Sequence, residues 1–267
     1  GMLDGAGVGG VFQSPSSDQI LQVTRHVDQG AGVLYLYGNY SGDLMNFDMA
    51  GELAELEDIE TATVVGNDDV ASSKPGEEHK RRGVAGNVFL YKVAGAAAAE
   101  MKPLSEVVRL TEKARARTRT MGVALTPCIV PEVGKPGFEI GENEMEIGMG
   151  IHGEPGITRK ALEPADAVVD EMMARIFAEQ DYAPGDEVAI LVNGLGGTPM
   201  EELYIFYRRL AQLFAEKQVS VAQVWVGEFA TSMEMAGASI SVLHLDDELK
   251  PLVARGANTP FFKHIAA

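Results

Sequence analysis

Basic residues are scarce in this sequence. Its 267 residues hold 22 Lys and Arg against 39 Asp and Glu, a formal net charge of −17. A chain this acidic repels phosphate backbones, which argues against nucleic-acid binding. There is one cysteine, Cys128. No disulfide can form within the chain, and a reducing compartment, the cytoplasm, is the expected location. Cys128 lies in TPCIVP among apolar neighbours, the setting of a buried, unreactive thiol. No apolar run reaches the roughly 18 residues that suggest a membrane-spanning helix. The opening GMLDGAGVGG has no basic region followed by an apolar run, so no secretory signal is expected there. The phosphate-cradling pattern G-x-x-x-x-G-K-[ST] is absent, which removes the common nucleotide loop.

What remains is an ordinary globular balance, 46% hydrophobic and 23% charged, enough for one large or two small domains. The 30 glycines follow no repeat and point to many tight turns. The apolar run VLYLY at 33–37 suits a buried strand. A helical pattern follows from Asp43 to Glu57, with Asp43 placed as a plausible N-cap. TATVV at 61–65 reads as the next strand, and NDDVASSKPGEEHKRRG at 67–83 as a polar loop whose EEHKRR run is a solvated loop or the start of a helix. Residues 84–100 read as a buried alanine-rich helix and 105–119 as an amphipathic one. Within the Gly/Pro-rich stretch 126–156, MEIGMGIH at 145–152 alternates like a strand. Further on, helices are expected at 164–178 and 200–217, and strands at 186–192, 220–226 and 238–245. This alternation predicts an α/β fold with mixed, largely parallel sheets flanked by helices. Two α/β domains are expected, at 1–157 and 158–267.

Several patterns offer chemistry. Gly5, Gly7 and Gly10 match G-x-G-x-x-G, but no strand precedes them and VFQSPSSD follows, so a dinucleotide site is not expected. NGLGGTP at 193–199 sits between a strand and a helix. It suits close backbone packing or an anion. His152 lies in GIHGEPG. Glycines around it would let a small ligand approach the imidazole, whose unprotonated nitrogen can act as nucleophile, base or ligand. The alternative is a structural histidine hydrogen-bonded in a turn. Glu154 makes H-x-E with it, but metal ligands at familiar spacings are lacking. Asp43, in GNYSGDLMNF, follows the 33–37 strand at its carboxyl end, where α/β sheets hold ligands. Asp68 and Asp69 follow the next strand at a similar edge and are expected in a solvated loop. His26, His79, His244 and His264 read as structural or exposed, and Trp225 as core.

Taken together, FQSPSSDQI (12–20), NYSGDLMNF (39–47), NDDVASS (67–73), RRGVAG (81–86), VGKPGF (133–138), NEMEIGMGIHGEPGI (143–157), LVNGLGGTPMEELY (191–204) and TSMEMAGASISVLHLDDE (231–248) resemble the K domain of dihydroxyacetone kinases. The likeness runs nearly end to end, and NEMEIGMGIHGEPGI is its most specific part. The resemblance implies that His152 attacks the carbonyl carbon of a short ketose and holds it as a hemiaminal, which polyols cannot form. It implies that Asp43 hydrogen-bonds the reacting hydroxyl and assists its deprotonation, and that Gly38 and Ser14 join Asp43 in contacting substrate. No cofactor and no metal is expected on this chain. Mg-ATP or Mg-ADP is expected on a separate L subunit, with the K subunit a homodimer. Two departures from the family stand out. A GGGSGHEP segment lies upstream of this chain's first residue in the family and supplies a second histidine, a general base. A protein lacking it is expected to lose a strand and to be impaired. Dihydroxyacetone-specific members usually carry lysine where this chain has Gly38, so a larger ketose such as erythrulose is a candidate substrate. A non-catalytic ketose sensor or co-activator is the alternative reading.

Overall fold

The computed structural model describes residues 1–266. In chain order its elements are α1 (Ser17–Val27), β1 (Val33–Gly38), α2 (Ser41–Glu55), β2 (Thr61–Gly66), α3 (Asn87–Ala99), α4 (Leu104–Ala116), β3 (Thr118–Ala124), β4 (Glu144–Ile147), β5 (Thr158–Ala161), α5 (Ala165–Glu179), β6 (Glu187–Gly194), α6 (Met200–Glu216), β7 (Ser220–Gly227), β8 (Gly237–His244), α7 (Leu249–Ala254), β9 (Ala257–Asn258) and β10 (Lys263–His264). Two compact units interleave along the sequence. The first comprises residues 1–66, 89–116 and those from 247 onward, and the second comprises 67–88 and 117–246. The junction expected at 157/158 lies inside the second unit, between β4 and β5, which pair antiparallel from Glu144↔Ala161 to Ile147↔Thr158. A single cut could not separate units between which the chain passes more than once.

In the first unit, β1 and β2 pair in parallel, Val33 with Thr61 through Gly38 with Gly66. Tyr35 and Tyr37 alternate along β1 onto one face, as strand periodicity requires, and bury there with Ile20 of α1 and Ala50 of α2. Phe47 of α2 stacks on Tyr37 with ring centroids 4.1 Å apart. The start of α1 is fixed by a reciprocal capping box between Ser16 and Gln19.

The second unit holds a six-stranded sheet in the order β5-β4-β3-β8-β6-β7. It is mixed: β6 and β7 run parallel, and the other four pairings are antiparallel. Two of the antiparallel pairings, β3 with β4 and β4 with β5, join strands linked by Gly/Pro-rich connections that let the chain double back, and the other two bring in β8 from later in the chain. The helices α5 and α6 bury Val168, Val169, Met172, Met173 and Leu210 against β3, β6 and β8.

Two element boundaries differ from the sequence reading. The basic helix expected to run to 119 stops at Ala116, and Thr118–Ala124 is a strand. Thr118 and Thr120 are fully buried and pair with Leu243 and Ser241 of β8, so tertiary pairing overrides the helical pattern. The alternating run 145–152 is strand only through Ile147. Gly148 then turns the chain with φ +81°, a conformation that side chains with a Cβ resist.

Candidate active site

In the first unit, the parallel strands β1 and β2 end at one edge, the usual ligand edge of an α/β sheet. Gly38 closes β1, the Tyr40 N–H donates back to its carbonyl at 2.9 Å, and α2 begins at Ser41. The N-cap is Tyr40, which makes no side-chain capping bond. Asp43 is therefore not the cap expected from the sequence. It is the third helical residue, half-buried, where the positive end of the helix favours a carboxylate. Ser14 lies against this turn: a Cβ built on Gly42 would sit 3.3 Å from its own Cβ. Asn46 on α2 donates to Ser14 Oγ at 3.2 Å and to the Pro15 carbonyl at 2.8 Å. The fold thus gathers Ser14, Gly38 and Asp43 at the end of β1. Burial pushes the Tyr37 hydroxyl up to about 12, with smaller contributions from Asp48 and Asp43.

His152 belongs to the second unit, in the turn after β4. The Gly153 N–H donates to the Gly150 carbonyl and the Gly150 N–H to the Glu154 carbonyl, each at 3.0 Å. The ring is half-buried. Its Nδ1 lies 3.0 Å from Glu154 Oε1, and the His152 backbone N–H donates to Glu154 Oε2 at 3.0 Å. A Cβ on Gly150 would land on Glu154 Oε2, so glycine there is what admits the carboxylate. Burial, the largest single influence, pushes the Glu154 carboxyl up. The His152 ring and backbone N–H groups together hold it below the ordinary glutamate value.

Side chains from distant sequence, together with Glu146 of β4, hold this turn. Arg82 Nη2 donates to the Gly148 carbonyl at 3.1 Å, while its Nε donates to Asp69 Oδ2 at 2.8 Å. Ser232 Oγ donates to the Ile151 carbonyl. Glu146 accepts from the Gly156 N–H at 2.7 Å and pairs with Arg159. The stretch expected to be solvated is exposed at 74–76 and 79–80 but buried at 68–70 and at Arg81. Asp68, Asp69 and Arg81 are 2%, 3% and 0% exposed. Asp68 accepts from the Val84 and Gly86 N–H groups, and Arg81 pairs with Glu179 at 2.9 Å. Buried charges survive because each is paired or hydrogen-bonded. Burial pushes the Asp69 carboxyl up to about 6, against the pull of Arg82.

Nothing in the sequence pattern marks Asp69, Arg82 or Ser232 as supports of His152, since the spacing to their partners exceeds any local period. Only Glu154, two residues away, was visible beside it. The 193–199 loop packs backbone on backbone, with Gly197 N–H donating to the Met235 carbonyl at 2.9 Å. Cys128 and Trp225 are buried as expected. Among the described residues, no group of three His, Cys, Asp or Glu side chains could hold a metal ion, and no helix is long and apolar enough to cross a membrane.

A family model described as the Dak1 domain matches residues 1–261. The chain belongs to the Dak1 family. Among its Dak1 relatives is the dihydroxyacetone-binding subunit DhaK of PTS-dependent dihydroxyacetone kinase 2 from Listeria innocua, 48% identical over 97% of this chain and 78% of that one. The D-erythrulose kinase of Mycolicibacterium smegmatis is 40% identical over 100% of this chain and 46% of its own. Among solved structures, the dihydroxyacetone kinase operon co-activator Dha-DhaQ is 32% identical with a TM-score of 0.84, over 91% of this chain and 75% of that one.

Proposed function

We propose that this Dak1 chain is the ketose-binding subunit of a dihydroxyacetone-type kinase, acting in the cytoplasm. Dihydroxyacetone or erythrulose is captured by the imidazole of His152 as a hemiaminal. Holding the substrate covalently turns phosphoryl transfer into an oriented step. Asp43 accepts the hydrogen bond of the hydroxyl that is to be phosphorylated and assists its deprotonation, with Ser14 and Gly38 contacting substrate. The nucleotide, as Mg-ATP or Mg-ADP, resides on a separate L subunit, and two K subunits pair as a homodimer. Phosphoryl transfer depends mainly on positioning and charge stabilisation, so it can be divided between polypeptides.

The observation that carries this reading is the His152–Glu154 pair. It sits in the family's glycine-rich segment and presents an imidazole in a defined orientation. Gly38, which leaves room where a lysine would stand, and likeness to erythrulose kinases at 38% to 40% identity favour a substrate range that includes four-carbon ketoses.

The likeness to a co-activator supports a second reading, a ketose sensor without turnover. Ketose-dependent nucleotide consumption, measured with a purified L-type partner, separates the two. Turnover that requires both proteins supports the kinase subunit. Ketose capture without turnover, with any of several L-type partners, supports the sensor.

A further inference from the structure

We infer that Glu154 is a positioning residue that sets the tautomer of His152 and takes up the proton released as the ketose adds. This deepens the reading of His152 as nucleophile and rests on it. An ionised carboxylate only accepts hydrogen bonds. With Oε2 receiving the His152 backbone N–H and Oε1 3.0 Å from Nδ1, the ring contact is an N–H···O bond only if Nδ1 carries the proton. The lone pair of the neutral imidazole is then on Nε2. Burial of both partners to about the same degree, with side chains 29% and 30% exposed, favours a persistent pair over a solvent-averaged one. The backbone adds constraint, because Glu154 is fixed through the amide of the same residue whose ring it orients.

The addition balances as follows. The Nε2 lone pair forms the bond to the carbonyl carbon, and the carbonyl π pair moves to oxygen, which takes a proton from water. The ring becomes cationic, and its Nδ1 proton passes to the Glu154 carboxylate and from there to solvent. The product is a neutral N-substituted imidazole and a neutral hydroxyl. Glu154 offsets the transient ring charge and never touches the substrate.

The Glu154→Gln variant tests this. Glutamine keeps one acceptor, which the His152 backbone N–H engages, and turns its NH2 toward Nδ1. Nδ1 must then accept and the proton moves to Nε2, so capture weakens. The measurement is the 15N spectrum of the imidazole in 15N-histidine-labelled protein, together with titration by dihydroxyacetone labelled with 13C at its carbonyl. In the wild type at neutral pH, His152 Nδ1 is expected in the N–H state and Nε2 unprotonated. In Glu154→Gln the states exchange and the concentration needed for half-maximal capture rises at least tenfold. Glu154→Ala, which offers no group to Nδ1, should give mixed tautomers and intermediate capture, so the series does not depend on one variant. A wild-type His152 protonated at Nε2, or Glu154→Gln with unchanged tautomer and capture, overturns the inference. Wild-type protein with the expected tautomer that forms no adduct sinks the nucleophile reading instead.

Discussion

Asp43 stands on regular structure, whereas His152 stands on a turn. The acid occupies the first turn of α2, immediately after a parallel strand. Ordinary strand-to-helix geometry fixes it. The histidine follows a four-residue strand, and its turn is held by Arg82 and Ser232 from elsewhere in the chain and by Glu146 of that strand. Irregular backbone has no ladder of its own, so side chains must satisfy its carbonyls and N–H groups. The lesson is that the two groups should fail differently. Damage to Asp43 should stay local, while damage to distant residues should reach His152.

The largest effect is expected at His152 itself. His152→Ala should abolish ketose capture in the labelled-ketose titration and leave the unfolding midpoint nearly unchanged, because the half-buried ring contributes little to the core. Asp43→Asn comes next: capture should persist, while transfer with the L-type partner slows by about 10²–10⁴, the usual worth of general acid–base assistance. An Asn variant that lost capture as well would erase the contrast between the two settings.

Arg82→Ala probes the turn from a distance. The Arg82 and Asp69 side chains are 13% and 4% exposed, and removing one member of such a pair costs about 3–5 kcal/mol. Denaturant unfolding should report that loss, and capture should weaken although Arg82 is far from His152 in sequence. Unchanged capture would show that the turn holds itself.

The smallest effect is a pH slope. Burial raises the Asp69 carboxyl from its ordinary 3.8 to about 6. Between those values the folded chain binds more protons than the unfolded one, so this group's contribution to stability falls as pH rises, by at most about 1.4 kcal/mol per unit. The stability of the wild type relative to Asp69→Asn should therefore decline from pH 4 to 6 and level off above that range. A flat or rising difference would mean that the carboxylate is not raised by its surroundings.

The same contrast explains what could be read from the sequence. VLYLY, TATVV and the apolar faces of α5 and α6 have clear periods, and they appear as the strands and helices expected. Asp43 was placed correctly at a strand end because that placement needs only local order; its role as a cap was not, since Ser41 could open the helix two residues earlier. Asp68, Asp69 and Arg81 look like a solvated loop because charge alone does not reveal pairing across sequence distance. The interleaving of the two units was hidden for the same reason. No local signal announces that a chain will return to an earlier unit.

The most direct test is a one-bond coupling measurement on 15N-histidine-labelled protein with dihydroxyacetone carrying 13C at its carbonyl carbon. The account predicts that this carbon leaves the carbonyl region on binding and couples to a single histidine nitrogen, Nε2 of His152, and that the coupling vanishes in His152→Ala. A bound ketose that keeps its carbonyl signal, or a coupling that survives in His152→Ala, would contradict it.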